Sequence, residues 1–424
     1  VFSRMDWSTE PSLRSRRKDQ SGLEQESVQK NLTRLAQTDR TLAVALIRLD
    51  DHERLAAMAG ESELDKRLSL VAGKAKETLP PTELSTAWDQ ATLAMVWTNL
   101  ALQQASQMAT GLIKSLTIQA PISIGLVFWP NPALKPDSLI SSAQKALFEA
   151  GMIGPQSLAV FGPQTLNISG DHLFDEGDLD GAMEEYQKGL LLDPGHLNLL
   201  NSLGVCHGRL GDHKSALAAF DEVLQLAPDN LMGHFNKGCS LLLVGQLEMA
   251  EQSLLKAEAI DPKSFEVLFH LGKTALELGH LELALSSLSR AAELKGRWGG
   301  VYRLLGKTKL LTADKEGALA AFKKAVKFDP DDAESLSSLG MLFLESANDQ
   351  EVALSLFHRS VELDPTNSLF RQRLGRLLYE LGDYPRAEHH LKAALDYGCR
   401  AEEVHQQLSS LSALAPDRDQ SGAT

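Results

Sequence analysis

The feature that most constrains this chain is a spacing. Glycines stand at Gly170, Gly204, Gly238, Gly272, Gly306, Gly340 and Gly375, 34 residues apart with a single 35 at the last step. Twelve residues after each comes an alanine: Ala182, Ala216, Ala250, Ala284, Ala318, Ala353 and Ala387, the one gap of 13 falling where ESANDQE intervenes. Four residues further on stands a large apolar side chain: Tyr186, Phe220, Leu254, Leu288, Phe322, Phe357 or Leu391. A fixed period of this length marks stacked units that cannot bury their apolar faces alone. The spacing predicts two short helices per unit, crossing closely where Gly on the first meets Ala on the second. A mid-helix Gly costs about 1 kcal/mol against Ala, and close approach of two backbones is a reason to keep it. Seven residues beyond the core glycine, Gly177, Gly211, Gly245, Gly279 and Gly382 suit a left-handed helix end; Ala313 and Ala347 stand there in the fifth and sixth units. Each second helix is expected to end before Pro194, Pro228, Pro262, Pro330 or Pro365, with Gly296 and Cys399 in place of proline twice. Seven units thus fill residues 163–401. The first is the poorest, since NISGDHLFDEG predicts a short first helix with little apolar surface. Residues 402–414 read as a capping helix and 415–424 as a disordered tail.

Composition narrows the partners. Of 424 residues, 43% are hydrophobic and 23% charged, values of a globular chain. A net charge of -14, from 42 basic and 56 acidic residues, gives no broad attraction to nucleic acid or anionic lipid. Cys206, Cys239 and Cys399 form no CxxC pair, which fits a reducing, cytoplasmic setting and offers no thiolate metal site. The apolar run SIGLVFW at 123–129 is far short of the roughly 18 residues a spanning helix needs, so membrane insertion is not expected. Residues 1–20 carry a basic cluster, Arg14, Arg16, Arg17 and Lys18, without the apolar core of a signal peptide, and read as a linker or disordered segment. The chain opens on Val rather than Met, so a further domain upstream is an expectation.

The repeating units resemble tetratricopeptide repeats, in which the inner faces of the first helices line a groove that takes a peptide or partner helix. That resemblance, with the 3.6-residue helical period, places the groove two and three residues before the core glycine and one, four and five after it. Those positions hold Asn201 and Arg209 in the second unit, Phe235 and Asn236 in the third, Lys273 in the fourth, Arg303 and Lys307 in the fifth, and Arg373, Arg376 and Tyr379 in the seventh. Lys273, Arg303, Lys307 and Arg376 are expected to form a positive strip for an acidic segment or C-terminal carboxylate, with Asn201 and Asn236 bonding its backbone. Solvated helix faces are the plain alternative for each.

Residues 21–162 do not repeat. They read as a helix at 23–37, a strand at 41–49, helical turns to about 78, a strand pair near 83–98, a helix over ALQQASQMATGLIKSL, a strand PISIGLVFW, a helix LISSAQKALFEAG and a last strand SLAVF. Strands alternating with helical patterns predict an α/β sandwich. With SGLEQE at 21–26, SIG at 123–125 and KALFEAG at 145–151, this order resembles the diguanylate cyclase (GGDEF) domain of bacterial signalling proteins. The resemblance implies an enzyme that condenses two GTP molecules using metal-bound carboxylates and a Gly-Gly-Asp/Glu-Glu-Phe loop. Aligned through SIG and the first strand, that loop falls on Trp88, Asp89, Gln90, Ala91 and Thr92. The first metal carboxylate falls on Arg48, the guanine-recognising pair on Ala56 and Ala57, the phosphate lysine on Gly151, and the product-inhibition pair on Leu79 and Thr82. Of the metal ligands only Asp50 remains, and one carboxylate does not hold two magnesium ions.

Other chemistry reads cool. No phosphate-loop motif occurs, and the adjacent His389 and His390 cannot face one metal from a regular helix. His207 and His213 flank a turn. Asp50, Asp51 and Glu53 suit a first helical turn. No catalytic, cofactor-binding or metal residue is assigned. The expected fold is therefore a degenerate GGDEF-like α/β sandwich followed by an all-α tetratricopeptide superhelix. The expected function is a non-catalytic bacterial scaffold with a protein or peptide in the groove and a possible homodimer through the cyclase-like domain. The alternatives left open are a sensor binding GTP or cyclic di-GMP in a remodelled pocket, and an activity carried upstream.

Overall fold

The computed structural model describes residues 18–414 apart from Asp39 and Asn348. The tail expected at 415–424 and most of the linker expected at 1–20 lie outside the described residues. The chain divides into two compact units, residues 1–228 and 229–424.

In the first unit, β1 (Leu42–Leu49), β2 (Leu84–Ala87), β3 (Thr92–Thr98), β4 (Ile122–Trp129) and β5 (Leu158–Val160) form one sheet in the order β2-β3-β1-β4-β5. Neighbours are antiparallel except β4 and β5. The central β1 shows why the period of two matters: Ala43, Ala45, Ile47 and Leu49 enter one core and Leu42, Val44 and Leu46 the other. The first core is closed by α3 (Glu61–Thr78) and α4 (Leu102–Leu116), with α2 (His52–Ala59) at its margin. The second is closed by α1 (Lys18–Ala36) and α5 (Leu139–Ile153). The first helix starts at Lys18, five residues before the expected position. Gly125, in the SIG triplet, is where α5 lies directly on β4: a Cβ there would come within 2.3 Å of the Leu147 backbone nitrogen.

Four more helices complete this unit: α6 (Pro163–Glu176), α7 (Leu179–Leu192), α8 (Leu197–Arg209) and α9 (His213–Leu226). The expectation of a short α6 is corrected. It is 14 residues long, because PQTL belongs to it, with Pro163 in the first turn where its missing N–H costs nothing. Its apolar anchor, Leu166, is 1% exposed and packs into the sheet's second core.

The second unit holds five helix pairs and a final helix. The pairs are α10 (Leu231–Leu243) with α11 (Leu247–Ile260), α12 (Phe265–Leu278) with α13 (Leu281–Leu294), α14 (Gly299–Leu311) with α15 (Lys315–Phe328), α16 (Ala333–Ala347) with α17 (Gln350–Leu363), and α18 (Ser368–Glu380) with α19 (Tyr384–Asp396). The last helix, α20 (Glu402–Leu414), buries Val404 and Leu411 against the final pair.

The nearest neighbour of each core glycine is not the alanine but the large residue beyond it. A Cβ on Gly306 would lie 2.7 Å from the Phe322 ring, and one on Gly340 2.7 Å from Phe357. Gly170 and Gly204 stand in the same way against Tyr186 and Phe220, and Gly238, Gly272 and Gly375 against Leu254, Leu288 and Leu391. Each Gly thus faces first the large residue sixteen or seventeen positions on, and the expected Gly–Ala approach appears behind it at Gly238, where a Cβ would stand 3.4 Å from the Ala250 carbonyl. The missing side chain makes a seat for a ring or isobutyl group, while the seven alanines, all fully buried, let the second helix come close enough to fill it.

Turns follow the glycines. Gly177, Gly211, Gly245, Gly279 and Gly382 all have φ between 75° and 88°. Ala313 takes φ 60° in the same role, a conformation a side chain disfavours. The next residue is often an aspartate: Asp178, Asp212, Asp314 and Asp383 each accept a hydrogen bond from a backbone N–H in the first turn of the helix they start.

Gly306→Ala should destabilise the protein by about 1–3 kcal/mol despite alanine's better helix propensity, because the methyl overpacks against Phe322; urea unfolding measures it. A second outcome concerns acid. Burial, with Arg371 3.1 Å from the ring nitrogen, holds His390 down at about 4, whereas an unfolded histidine titrates near 6.5. The unfolded chain then binds more protons between those values, so this residue's contribution to stability is lost as pH falls from about 6.5 to about 4. His390→Gln should flatten that part of the urea-midpoint profile.

Candidate functional site

Two places could carry function, one in each unit. The first is the end of the sheet where β1, β3 and β4 bring Arg48, Thr92 and Ser123 into register. Asp50, one residue beyond β1, accepts two hydrogen bonds there. Its Oδ1 accepts the Ser123 hydroxyl at 2.5 Å and its Oδ2 accepts the Gln156 backbone N–H at 2.7 Å, holding Gln156 at φ 62°. Arg48 reaches toward the C-terminal end of α5, where a Cβ on Gly151 would stand 3.4 Å from its guanidinium. No hydrogen bond or ion pair to the Arg48 guanidinium occurs among the described residues. The turn between β2 and β3 is closed. Asp89 accepts the Ala91 N–H, Gln25 of α1 donates to the Trp88 carbonyl, and the Trp88 side chain is half-buried against the second core. Ala56 and Ala57 stand on α2, and neither offers a polar atom to a base.

The second place is a pocket of about 1000 Å3 in residues 229–424. It gathers four of the residues expected to bind a partner: Lys273 from α12, Arg303 and Lys307 from α14, and Arg373 from α18. Phe235, Asn236, Arg376 and Tyr379 lie in the same unit but do not line it. Asn201 and Arg209 belong to the other unit. There Asn201 is buried, at 8% exposure, and Arg209 lies 5.5 Å from the Phe174 ring centre.

The cations do not stand alone. Arg303 bonds Asp332 at 3.1 Å and lies 3.6 Å from Glu334, and Lys307 pairs with the same Glu334. Lys273 is 4.0 Å from Glu277, and Arg376 pairs with Glu380 and Glu403. Six carboxylates line the pocket beside four cations: Glu277, Asp329, Asp331, Asp332, Glu334 and Asp364. The positive strip is thus a mixed-charge surface. Five of these acids lie in or just after the joints between units, where FDPDDAE and DPTN carry them, outside the first-helix positions that define the groove; Glu277 stands on α12 at such a position.

Two guanidiniums still have capacity. Arg303 Nε is buried without a hydrogen-bond partner. Arg373 donates to the Ser337 hydroxyl at 2.8 Å, and burial lowers its pKa against the raising influence of Glu334 and Glu345. Beside the pocket runs an aromatic series. The Phe235 and Phe269 rings meet the His270 ring at 5.5 and 5.4 Å, and the Trp298 ring, 42% exposed, lies 4.5 Å from Phe269. Phe269 and His270 occupy groove positions of the fourth unit, so the period that located Phe235 locates them too. Burial, then Lys273, lowers the His270 pKa, which favours the neutral ring.

Family models account for both halves. Residues 20–156 match that described as diguanylate cyclase, GGDEF domain, and residues 169–230, 233–264 and 344–411 match tetratricopeptide repeat models. The chain carries a GGDEF domain followed by tetratricopeptide repeats. Solved structures similar to the chain include PilF of Pseudomonas aeruginosa, 19% identical over 49% of this chain and 95% of that one, with a TM-score of 0.46. YrrB, a repeat protein with an unusual peptide-binding site, is 19% identical over 44% and 95%, with a TM-score of 0.40. A tetratricopeptide repeat protein from Parabacteroides merdae is 17% identical over 59% and 98%, with a TM-score of 0.43. No helix among the described residues is long and apolar enough to cross a membrane.

In the GGDEF domain, Asp50 therefore has a structural duty that does not need a ligand. Asp50→Ala should cost about 1–3 kcal/mol in urea unfolding, since it strips the buried Ser123 hydroxyl and the Gln156 N–H of their acceptor.

Proposed function

We propose that this chain is a non-catalytic interaction scaffold of the bacterial cytoplasm, whose repeat groove holds a segment of a partner protein while its GGDEF domain has lost GTP turnover and the usual cyclic di-GMP site. The observation that carries the loss of chemistry is at Arg48 and Asp50. A magnesium site needs several oxygen ligands; here one ligand position holds a cation, and the single remaining carboxylate already accepts hydrogen bonds from Ser123 and Gln156. The residues present do not fit the metal ions. The closed Trp88 turn supports the same reading. A homodimer through the GGDEF domain belongs to the proposal as well.

For the partner, Arg303, whose Nε makes no hydrogen bond, and the half-buried Arg373 favour an extended segment with an acidic residue or C-terminal carboxylate, whose oxygens take the remaining guanidinium donors. Glu334 competes with it for Arg303 and Lys307. On an array of extended peptides with and without acidic residues, Lys273→Glu with Lys307→Glu should lower capture of the acidic members at least ten-fold, and Glu334→Gln should raise it. Unchanged capture in both variants removes the acidic-segment reading.

A second reading has one observation in its favour. Arg48, without an ion pair among the described residues, stands beside Gly151 where the family places a phosphate contact, which suits a nucleotide sensor binding without metal. Calorimetric titration of GTP and of cyclic di-GMP into the full chain, with magnesium and with a chelator, separates the two. No heat is expected for the scaffold, whereas micromolar binding that survives the chelator and is lost in Arg48→Ala makes the domain a sensor.

A further inference from the structure

Tetratricopeptide arrays expose an apolar face at each end, and each end has to be covered. At the far end α20 does this, with Val404 fully buried. At the near end there is no extra repeat. The GGDEF domain's last strand stops at Val160 and α6 begins at Pro163, so two residues join them.

The cover at that end is α5. Leu166 of α6 is 1% exposed in the same core as Leu139, Ala143, Ala146 and Leu147 of α5, and Leu192 at the end of α7 packs against that core. Two polar pairs, one buried and one partly buried, cross the same boundary. Thr165 of α6 donates its hydroxyl to Glu149 of α5 at 2.5 Å, and both side chains are at least nine-tenths buried. Lys145 of α5 pairs with Glu185 of α7, whose side chain is 7% exposed. Burial pushes the Glu185 carboxyl up, but Lys145 and Lys188 outweigh it and hold it below its ordinary value. A carboxylate this buried is tolerated only while its cation is in place, and half of this arrangement is supplied by the other domain.

We propose that the GGDEF domain serves as the amino-terminal cap of the repeat array, so that the sheet and the first repeat unfold as one body. This role uses the outer face of α5 and none of the nucleotide positions. It therefore stands whether or not the domain binds a nucleotide, and it gives a domain stripped of chemistry a reason to keep its fold.

The test is hydrogen exchange with mass spectrometry on the full chain at increasing urea. Amides of α6 and α7 should join β1 and β4 in a single opening transition. In Lys145→Glu, protection of α6, α7, β1 and β4 should fall together at least ten-fold, and Lys145→Glu with Glu185→Lys should restore it. Should Lys145→Glu fail to fold, Thr165→Val is the milder probe and should lower the same four elements together. If α6 and α7 open in the wild type at lower urea than β1 and β4, or if a variant loosens α6 and α7 while the sheet keeps its midpoint, the cap does not exist.

Discussion

Everything in the repeat half depends on one absence, the missing side chain at the core glycine of each first helix. It leaves a seat into which the second helix sets one large apolar group. Gly306 under Phe322 and Gly340 under Phe357 show the arrangement with phenyl rings, Gly272 under Leu288 with a branched chain. Glycine in a helix is a liability of about 1 kcal/mol. The alternative, any side chain at all, would push the helices apart and expose the apolar surface that holds each pair together. In the first unit, Gly125 makes the same exchange between α5 and β4. Helix against helix and helix against sheet are thus joined by one device, a close approach that only glycine permits.

The period was legible because it repeats seven times, and the α/β order because apolar stretches such as TLAVALIRL and PISIGLVFW stand out between helical patterns. What the spacing could not say was which atoms fill the space it leaves. Alanine looked like the partner of glycine because both are small. The structure gives each a separate duty, a seat in one helix and clearance in the other. The start of α6 was misjudged for a related reason. Leu166 is one apolar residue in a polar stretch, and its significance lies in α5, which no periodicity within the repeats can reveal.

The candidate groove was legible by halves. Lys273, Arg303, Lys307 and Arg373 follow from the helical period and do share a pocket. Of their counter-charges only Glu277 follows from it, because Asp332 and Glu334 enter from a joint and the start of the next helix. Ion pairing with Glu334 changes the electrical character of Arg303 and Lys307 without changing their positions. At the sheet end, Arg48 and Asp50 follow from the SIG strand and the first strand, but the hydrogen bonds that Ser123 and Gln156 give to Asp50 come from segments far away in the chain.

Asp329 and Asp364 have a second life. Each ends a helix just before proline, and each also faces the pocket. Grammar and vocabulary share these letters: the residues that punctuate the fold are among those a visitor would read. Altering what the groove prefers is therefore not a matter of repainting the faces of the first helices. Part of its charge is written in the corners, and at Asp364 a change of sign would also take from the turn the carboxylate that accepts the Thr366 N–H and hydroxyl.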